Sequence, residues 1–112
     1  MLWLGRSLDG APMAGVLPTA GTMGPSLTLG YRHAETTTAS PIGPPGTTFR
    51  GHEFHYSSLD APGDALALTS RFGSGRAGFA SPTLLATYVH HHPGGDATPV
   101  AAFLATCRRG AQ

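Results

Sequence analysis

Two histidine-rich clusters hold most of the side chains that could do chemistry in this sequence. One is Tyr88-Val89-His90-His91-His92-Pro93, where an apolar stretch runs directly into three imidazoles. Polar groups at the carboxyl end of a buried strand are typical of sites in open α/β sheets. In an extended chain His90 and His92 project to one side and His91 to the other. A neutral imidazole beside a thiol can act as a general base, because the ordinary pKa of histidine is about 6.5. The cluster therefore predicts either a general base at a strand end or a solvated histidine turn without chemistry.

The second cluster, Arg50-Gly51-His52-Glu53-Phe54-His55-Tyr56-Ser57, has the alternation of a strand. On an extended chain His52, Phe54 and Tyr56 face one way, while Glu53, His55 and Ser57 face the other. Glu53 could orient the imidazole of His55, or it could pair with Arg50. The alternative interpretation of this cluster is a polar edge strand without chemistry.

The sequence predicts no metal or nucleotide site. Zinc sites need three or four nitrogen, sulfur or carboxylate ligands in a tetrahedral array, and the His-Glu-x-x-His helix motif does not occur here. His52 and His55 lie on a predicted strand and point to opposite faces, so they cannot easily share one ion. Gly73-Ser74-Gly75 lacks the Lys-Ser or Lys-Thr pair of a phosphate-binding loop, and it is typical of a turn.

The elements that must position these clusters are short, since the 112 residues include 16 glycines and 10 prolines. Residues 2–8 are predicted to form the last turn of a helix, and residues 11–25 a loop. Period-two patterns or β-rich runs predict strands at residues 27–32, 47–57, 65–69 and 79–90, the last of them buried on both faces. Residues 72–78, with three glycines, are predicted to form a hairpin turn.

One helix is predicted near the end of the sequence. Asp96 or Thr98 can cap it, Pro99 suits its first position, and Gly110 can close it. Its apolar residues recur at the i, i+3, i+4 and i+7 positions of one helical face, which are Val100, Phe103, Leu104 and Cys107. This face is predicted to point into the core, with Cys107 as a small buried residue. Strands followed by one helix indicate part of a larger α/β domain.

Composition excludes several classes of protein. The formal net charge is +1, with seven arginines and no basic stripe, so nucleic-acid binding through phosphate neutralisation is not expected. No stretch approaches the ~20 apolar residues that span a bilayer, and the first residues do not form a signal peptide. A single cysteine permits no internal disulfide. We therefore expect a cytoplasmic, reducing environment.

Several segments, in order and with natural spacings, resemble a known family of enzymes. They are Leu4-Gly5-Arg6-Ser7-Leu8, Met13-Ala14-Gly15-Val16-Leu17, Leu27-Thr28-Leu29-Gly30-Tyr31-Arg32, the Arg50-to-Ser57 cluster, Gly78-Phe79-Ala80, and Tyr88-Val89-His90-His91-His92. Together they resemble the C-terminal end of the glutamine-hydrolysing cobyrinic acid a,c-diamide synthases of corrin biosynthesis. The Arg-Gly-His-Glu-Phe-His-Tyr-Ser run is the most specific piece, because the related cobyric acid synthases look like Gly-Tyr-Glu-Ile-His there.

The resemblance implies a flavodoxin-like class I glutamine amidotransferase domain, of which residues 1–112 would be the C-terminal, strand-rich part with a final helix. It implies that His90 is the catalytic general base and that His92 lies where many amidotransferases place a residue that orients this base. His55, Tyr56 and Ser57 lie where relatives contact glutamine. Ammonia from glutamine would pass to an activated carboxylate of the corrin, while ATP and Mg²⁺ would belong to an upstream synthetase domain that also binds the corrin.

One departure limits what the resemblance implies. The family's cysteine nucleophile lies on an elbow a few residues before the segment that matches Leu2 to Leu8, and this sequence begins at Met1. The expectation is an inactive fragment, poorly stable in isolation, whose nucleophile belongs to a longer chain or to a separate one. A non-catalytic β-rich interaction module, or a histidine-based metal-binding module, is the alternative.

Overall fold

The computed structural model describes residues 1–110, which form a mixed α/β fold that is rich in strands and ends in a helix. A short 3₁₀ helix occupies Leu2–Leu4. The strands are β1 (Ser7–Leu8), β2 (Ala11–Pro12), β3 (Ala20–Thr36), β4 (Thr48–Leu59), β5 (Leu66–Ser70), β6 (Gly73–Ala77), β7 (Phe79–Ser81), β8 (Leu84–Ala86) and β9 (His90–His91), and the helix is α1 (Thr98–Gly110). No helix within residues 1–110 is both long enough and apolar enough to cross a membrane.

Strands β3 and β4 form the centre of the main sheet. The order across it is β2-β1-β3-β4-β9, and β5 pairs with the far part of β3 and with β6. All of these pairs are antiparallel except β1 with β3. Strands β7 and β8 form a separate two-stranded sheet. This arrangement gives β3 and β4 two distinct faces along most of their length.

Alternation along β3 and β4 decides which side chains share a face, because directly paired residues project to the same side. Tyr31 pairs with His52, which in turn pairs with His90 of β9. We call their side the outer face; it carries Leu29, Tyr31, His52, Phe54, Tyr56 and His90. The opposite side, the inner face, carries Arg32, Phe49, Glu53, His55, Ser57 and His91.

The buried core lies at one end of the inner face. Ala34, Phe49, Leu66, Leu68 and Val89 form a single cluster. β3, β4 and β5 meet there, so each strand contributes its inward-facing residues to a common apolar centre. The core is small for a chain of 112 residues.

Some predicted strands are confirmed and others are wrong. The strands predicted at residues 47–57 and 65–69 correspond to β4 and β5, and the one at 27–32 lies within a longer β3. The predicted loop at 11–25 is wrong in its second half, because β3 already begins at Ala20. The amide of Ala20 and the hydroxyl of Thr19 both donate to the carboxylate of Asp60, at 2.8 and 3.1 Å, which joins the beginning of β3 to the end of β4.

The continuous strand predicted at residues 79–90 is also wrong. The run is divided into β7, β8 and β9 by a turn at Pro82 and Thr83 and by the irregular residues 87–89. The predicted hairpin turn at 72–78 is much shorter than expected, since Gly73–Ala77 forms β6 and pairs with β5. The predicted helical turn at residues 2–8 is confined to Leu2–Leu4 and is followed by β1.

Helix α1 has the predicted extent but not the predicted orientation. The carboxylate of Asp96 accepts a hydrogen bond of 2.9 Å from the amide of Thr98, as expected of a cap. Cys107 is exposed, so its prediction as a core residue is wrong, and about half of the Phe103 side chain is exposed as well. The helix packs instead through small residues, and the Thr106 hydroxyl donates to the carbonyl of Pro41 at 3.1 Å. Small side chains allow this closer approach.

Candidate active site

His90 presents its imidazole on the outer face, at the end of the sheet's edge strand. Its direct neighbour there is His52, whose ring packs edge-on against Tyr31 with centroids 5.1 Å apart. His90 is exposed to solvent, whereas His52 is half-buried. Three aromatic or imidazole rings thus form a row across β3, β4 and β9. An exposed imidazole in this position can exchange protons with a group that approaches from the outer side.

Gly51 allows β9 to lie close to β4. A Cβ atom at this position would clash with the Val89 side chain and would lie 2.7 Å from the carbonyl oxygen of His90. The Val89 amide also donates a hydrogen bond of 3.0 Å to the Thr87 hydroxyl, which restrains the backbone just before β9. The absence of a side chain at Gly51 therefore helps to set where the His90 backbone lies.

The inner face carries a second set of polar side chains beneath the same strand. Arg32 Nε donates to Glu53 Oε2 at 3.0 Å, and both side chains are largely buried. The sequence allowed Glu53 to pair with Arg50, but its partner is Arg32 on the neighbouring strand. Because a buried ion left alone costs about 3–5 kcal/mol, each member of this pair requires the other.

His55 lies next to Glu53 and has one defined tautomer when it is neutral. Its Nδ1 is 2.9 Å from the carbonyl oxygen of Ser57, and a carbonyl can only accept, so Nδ1 carries the proton. Nε2 is buried without a hydrogen-bond partner, and it lies 3.8 Å from Glu53 Oε1. Neutral His55 therefore directs a lone pair, and protonated His55 an N–H, toward the same region as the carboxylate.

Tyr88 covers this imidazole. The two rings are stacked at 3.7 Å with an angle of 11° between their planes, and the Tyr88 hydroxyl shares a hydrogen bond of 2.6 Å with Ser57 Oγ. Burial raises the pKa of the Tyr88 phenol, and the nearby Glu53 charge acts in the same direction. The phenol therefore stays neutral at physiological pH. A cavity of about 210 Å³ adjoins Glu53, His55, Ser57 and Tyr88.

The other histidines of the triple run differ in their surroundings. His91 faces inward against Phe49, with ring centroids 5.4 Å apart, and its Nε2 donates to the Asp96 carbonyl at 3.2 Å. His92 is exposed in the turn that follows β9. Within residues 1–110 its ring makes no hydrogen bond to His90.

The structure divides the predicted site residues between the two faces. His90 and Tyr56 lie on the outer face, where the Tyr56 ring packs edge-on against Phe54 at 6.2 Å. His55 and Ser57 lie together on the inner face, so Tyr56 is separated from them by the sheet. This division follows from the alternation that the sequence shows.

Two residues that contact the polar side chains of the inner face, Arg32 and Tyr88, are not identified as site residues by the sequence. Arg32 belongs to an alternating strand and Tyr88 precedes the histidine run, but neither pattern shows which residue each one contacts. The cross-strand register was the missing information. Among residues 1–110, no three histidine, cysteine, aspartate or glutamate side chains are grouped closely enough to hold a metal ion.

Comparison with known proteins identifies relatives over nearly the whole chain. The chain is 39% identical over 110 residues to a hydrogenobyrinate a,c-diamide synthase of Streptomyces coelicolor, a match that covers 96% of this chain and 23% of the relative. It is 38% identical over 102 residues to a cobyrinate a,c-diamide synthase of a Synechococcus species, covering 88% of this chain and 22% of the relative. A hydrogenobyrinate a,c-diamide synthase of Thermobifida fusca is 36% identical over 112 residues, covering 94% and 24%.

The chain spans about a quarter of the length of these curated relatives. No protein-family model matches the sequence. No solved structure matches it either. All three relatives are named a,c-diamide synthases, of either cobyrinate or hydrogenobyrinate, and these names agree with the resemblance of the histidine-rich segments. Over the region that it matches, the chain belongs to the family of cobyrinate and hydrogenobyrinate a,c-diamide synthases.

Proposed function

We propose that this chain supplies the general base of a glutamine-hydrolysing site in an enzyme that amidates the a and c carboxylates of a cobyrinate-type corrin. The names of the relatives specify an amide-forming synthase. Formation of an amide from a carboxylate requires a nitrogen donor, and the resemblance of the Arg50-to-Ser57 and Tyr88-to-His92 segments favours ammonia released from glutamine. In this proposal residues 1–112 are part of a flavodoxin-like class I amidotransferase domain.

The observation that carries the proposal is the exposed imidazole of His90. In the proposed reaction His90 removes the proton of a cysteine thiol, and the thiolate attacks the carboxamide carbon of glutamine. The imidazolium then protonates the departing amino group, which leaves as ammonia, and water hydrolyses the thioester to release glutamate and restore the cysteine thiol. The sum is glutamine plus water giving glutamate plus ammonia. His92, which lies nearby in the chain, is the proposed orienting residue.

The nucleophile of this reaction is proposed to lie on polypeptide that this chain does not span, either in the same protein or in a separate chain. The sequence contains one cysteine, Cys107, and within residues 1–110 no imidazole is hydrogen-bonded to its thiol. We therefore expect the 112-residue chain alone to hydrolyse glutamine at a negligible rate.

The proposed use of ATP and Mg²⁺ likewise belongs to polypeptide outside this chain. The residues present do not fit a nucleotide site, because the sequence has no lysine for a phosphate-binding loop. In the described part of the chain, residues 1–110, no three histidine, cysteine, aspartate or glutamate side chains are grouped closely enough to hold a metal ion. No step of the proposed reaction on this chain passes through either group.

A chimeric enzyme tests the proposal. Residues 1–112 would replace the matching quarter of the Streptomyces coelicolor relative, and amidation would be measured with glutamine and, separately, with ammonium as nitrogen donor. His90→Ala should lower glutamine-dependent turnover by about 100-fold or more and leave ammonium-dependent turnover intact. His52→Ala removes the neighbouring ring on the same face and should retain glutamine-dependent turnover within about threefold. Equal glutamine use by the His90→Ala chimera and its parent would remove His90 from the mechanism.

A further inference from the structure

The three residues between β8 and β9, Thr87 to Val89, lead directly to His90 and belong to no strand. The pairing of β9 with β4 is short, since His90 and the residue after it are the only residues of β9. So short a ladder provides few backbone hydrogen bonds to fix the strand. The position of His90 therefore also depends on what the side chains just before β9 contact.

Tyr88, in the middle of this segment, is held against β4 at two points. Its ring stacks on that of His55 at 3.7 Å, and its hydroxyl lies 2.6 Å from Ser57 Oγ. The backbone carbonyl of Ser57 in turn accepts a hydrogen bond of 2.9 Å from Nδ1 of His55. His55, Ser57 and Tyr88 thus form a closed set of contacts, which we call the Tyr88 clamp.

The part of the Tyr88 clamp that lies on β4 is itself held in place. Ser57 is buried, with 5% of its surface exposed. His55 lies against the carboxylate of Glu53, with its Nε2 at 3.8 Å from Oε1, and the other oxygen of that carboxylate accepts a bond of 3.0 Å from Arg32. Tyr88 therefore packs on partners that have little freedom to move.

The contacts of Tyr88 add a second fixed point to the segment before β9. The first is Val89, whose side chain lies in the buried core. A chain attached at one point can still rotate about it, and a cavity of about 210 Å³ beside His55, Ser57 and Tyr88 leaves room for such movement. Tyr88 and His90 are two residues apart, at most roughly 7 Å along the chain. Rotation at Tyr88 would therefore displace the His90 imidazole.

We propose that Tyr88 is a positioning residue whose clamp fixes the direction in which β9 continues and so the place of the His90 imidazole. The inference rests on the proposed function, in which this imidazole takes the proton of a cysteine thiol. Tyr88 lies on the inner face and the His90 imidazole on the outer one, so Tyr88 acts through the chain and not by contact with the reacting atoms. Misplacement of a reacting group by about 1 Å can lower a rate by ~100-fold.

Two variants of Tyr88 in the chimeric enzyme test the inference. Tyr88→Phe removes only the hydroxyl bond to Ser57, and it should lower kcat of glutamine-dependent amidation by about threefold to tenfold. Tyr88→Leu also removes the stacking on His55, and it should lower this kcat by about 30-fold or more. The KM for glutamine should not change, as expected when the loss is confined to the chemical step. Ammonium-dependent turnover should also be unchanged.

Tyr31→Phe and Tyr31→Leu are the matched controls, because they make the same changes at a tyrosine that is 81% exposed. Both should leave kcat unchanged. Circular dichroism spectra and thermal melts of all variants establish whether the fold is retained. If Tyr88→Leu does not fold, Tyr88→Phe carries the test, since it keeps the ring and its packing.

The pH dependence of thiol alkylation separates positioning from a general loss of structure. A base beside the elbow cysteine promotes thiolate formation at neutral pH, whereas above the ordinary thiol pKa of about 8.5 the thiolate forms without help. Iodoacetamide labelling, followed on the elbow peptide by mass spectrometry, should be slowed in Tyr88→Leu and His90→Ala at about pH 7 and equal to the parent at about pH 9.5. A general loss of structure would change labelling at both pH values.

Three results would overturn the inference. The first is parental kcat in Tyr88→Leu when His90→Ala has lost glutamine use, which would leave the proposed function intact. The second is equal labelling of the parent and Tyr88→Leu at neutral pH. The third is full glutamine use by His90→Ala, which would remove the proposed function and this inference together.

Discussion

The burial of each ion pair in this structure determines how much the pair contributes to stability. The Arg32–Glu53 pair is largely buried, and removal of either partner would leave an uncompensated charge in the sheet. The Arg6–Asp60 pair, at 3.2 Å, has more than half of each side chain exposed and contributes little as an ion pair. Asp60 matters for another reason. It accepts hydrogen bonds from the beginning of β3, where the backbone needs a partner.

The pH dependence of stability should reveal Asp60. The hydrogen bond from the Ala20 amide, assisted by Thr19 and Arg6, holds the pKa of Asp60 below its ordinary value. A lowered folded-state pKa means that the carboxylate stabilises the fold above the unfolded pKa, near about 4, and that this contribution is lost as pH falls through the folded-state value. Asp60→Asn should therefore lower the Tm most at about pH 5–7, where the carboxyl group is ionised in both the folded and the unfolded chain.

Thermal melts of the parent and of Asp60→Asn between about pH 2 and 7 measure this effect. The difference in Tm should shrink toward the acid end of the series. Asp64→Asn, which removes an exposed carboxylate without a side-chain hydrogen bond in residues 1–110, controls for the loss of one negative charge. A difference that stays constant, or grows at low pH, contradicts the role given to Asp60.

Among the elements, β9 is the one whose position matters most for the proposed chemistry, and its pairing is short. It pairs with β4 at two positions only, Gly51 with His91 and His52 with His90. The buried side chain of Val89 and the close approach at Gly51 hold it in place. The placement of His90 thus depends on a residue that has no side chain.

Gly51→Ala should displace β9. The added methyl group meets the Val89 side chain and the His90 carbonyl, and overpacking of this kind costs about 1–3 kcal/mol. Urea unfolding measures the loss of stability, and the chimeric enzyme measures the loss of glutamine-dependent turnover. Gly75→Ala, in β6, is the matched control because a Cβ there meets no atom within 4 Å. Equal effects of the two changes would show that the approach at Gly51 is unimportant.

The sequence predicted those elements whose signals are local. Alternation identified β4 and the sides on which His52 and His55 lie, and capping residues identified α1. The run at 79–90 was mistaken for one strand because apolar β-rich composition does not show that Pro82 and Thr83 turn the chain. The apolar residues of α1 recur with helical periodicity, but this pattern does not show that Thr106 contacts the loop at Pro41. Pairing of Arg32 with Glu53 depends on cross-strand register, which no local pattern encodes.

The whole molecule combines a small core with a large exposed apolar surface. Five residues form the buried cluster, whereas Phe54, Tyr56 and Phe103 are each about half exposed. An antiparallel sheet ordinarily has one polar, solvated side. Here the solvent-exposed outer face carries aromatic residues where polar ones are usual. Its composition is therefore closer to that of a protein interface than to that of an ordinary surface.

We therefore expect the isolated chain to be marginally stable and to self-associate. Phe54→Thr combined with Tyr56→Thr should increase the monomeric fraction, because these residues supply exposed apolar area and take no part in the core. Sedimentation velocity and thermal melts measure association and stability, with Ser58→Thr as a control on the same strand. A sharp, cooperative melt of a monomeric parent chain would contradict this expectation.

The short ladder between β4 and β9 has a consequence for the run of three histidines. A slip of one position in a sheet exchanges the two sides of a strand. If β9 slid so that His91 lay opposite His52, His91 would move to the outer face and its neighbours would turn inward. An imidazole would still stand beside His52. The consecutive histidines therefore keep an imidazole on the outer face after a one-residue shift in register. In a strand with a single histidine, the same shift would remove the imidazole from that face.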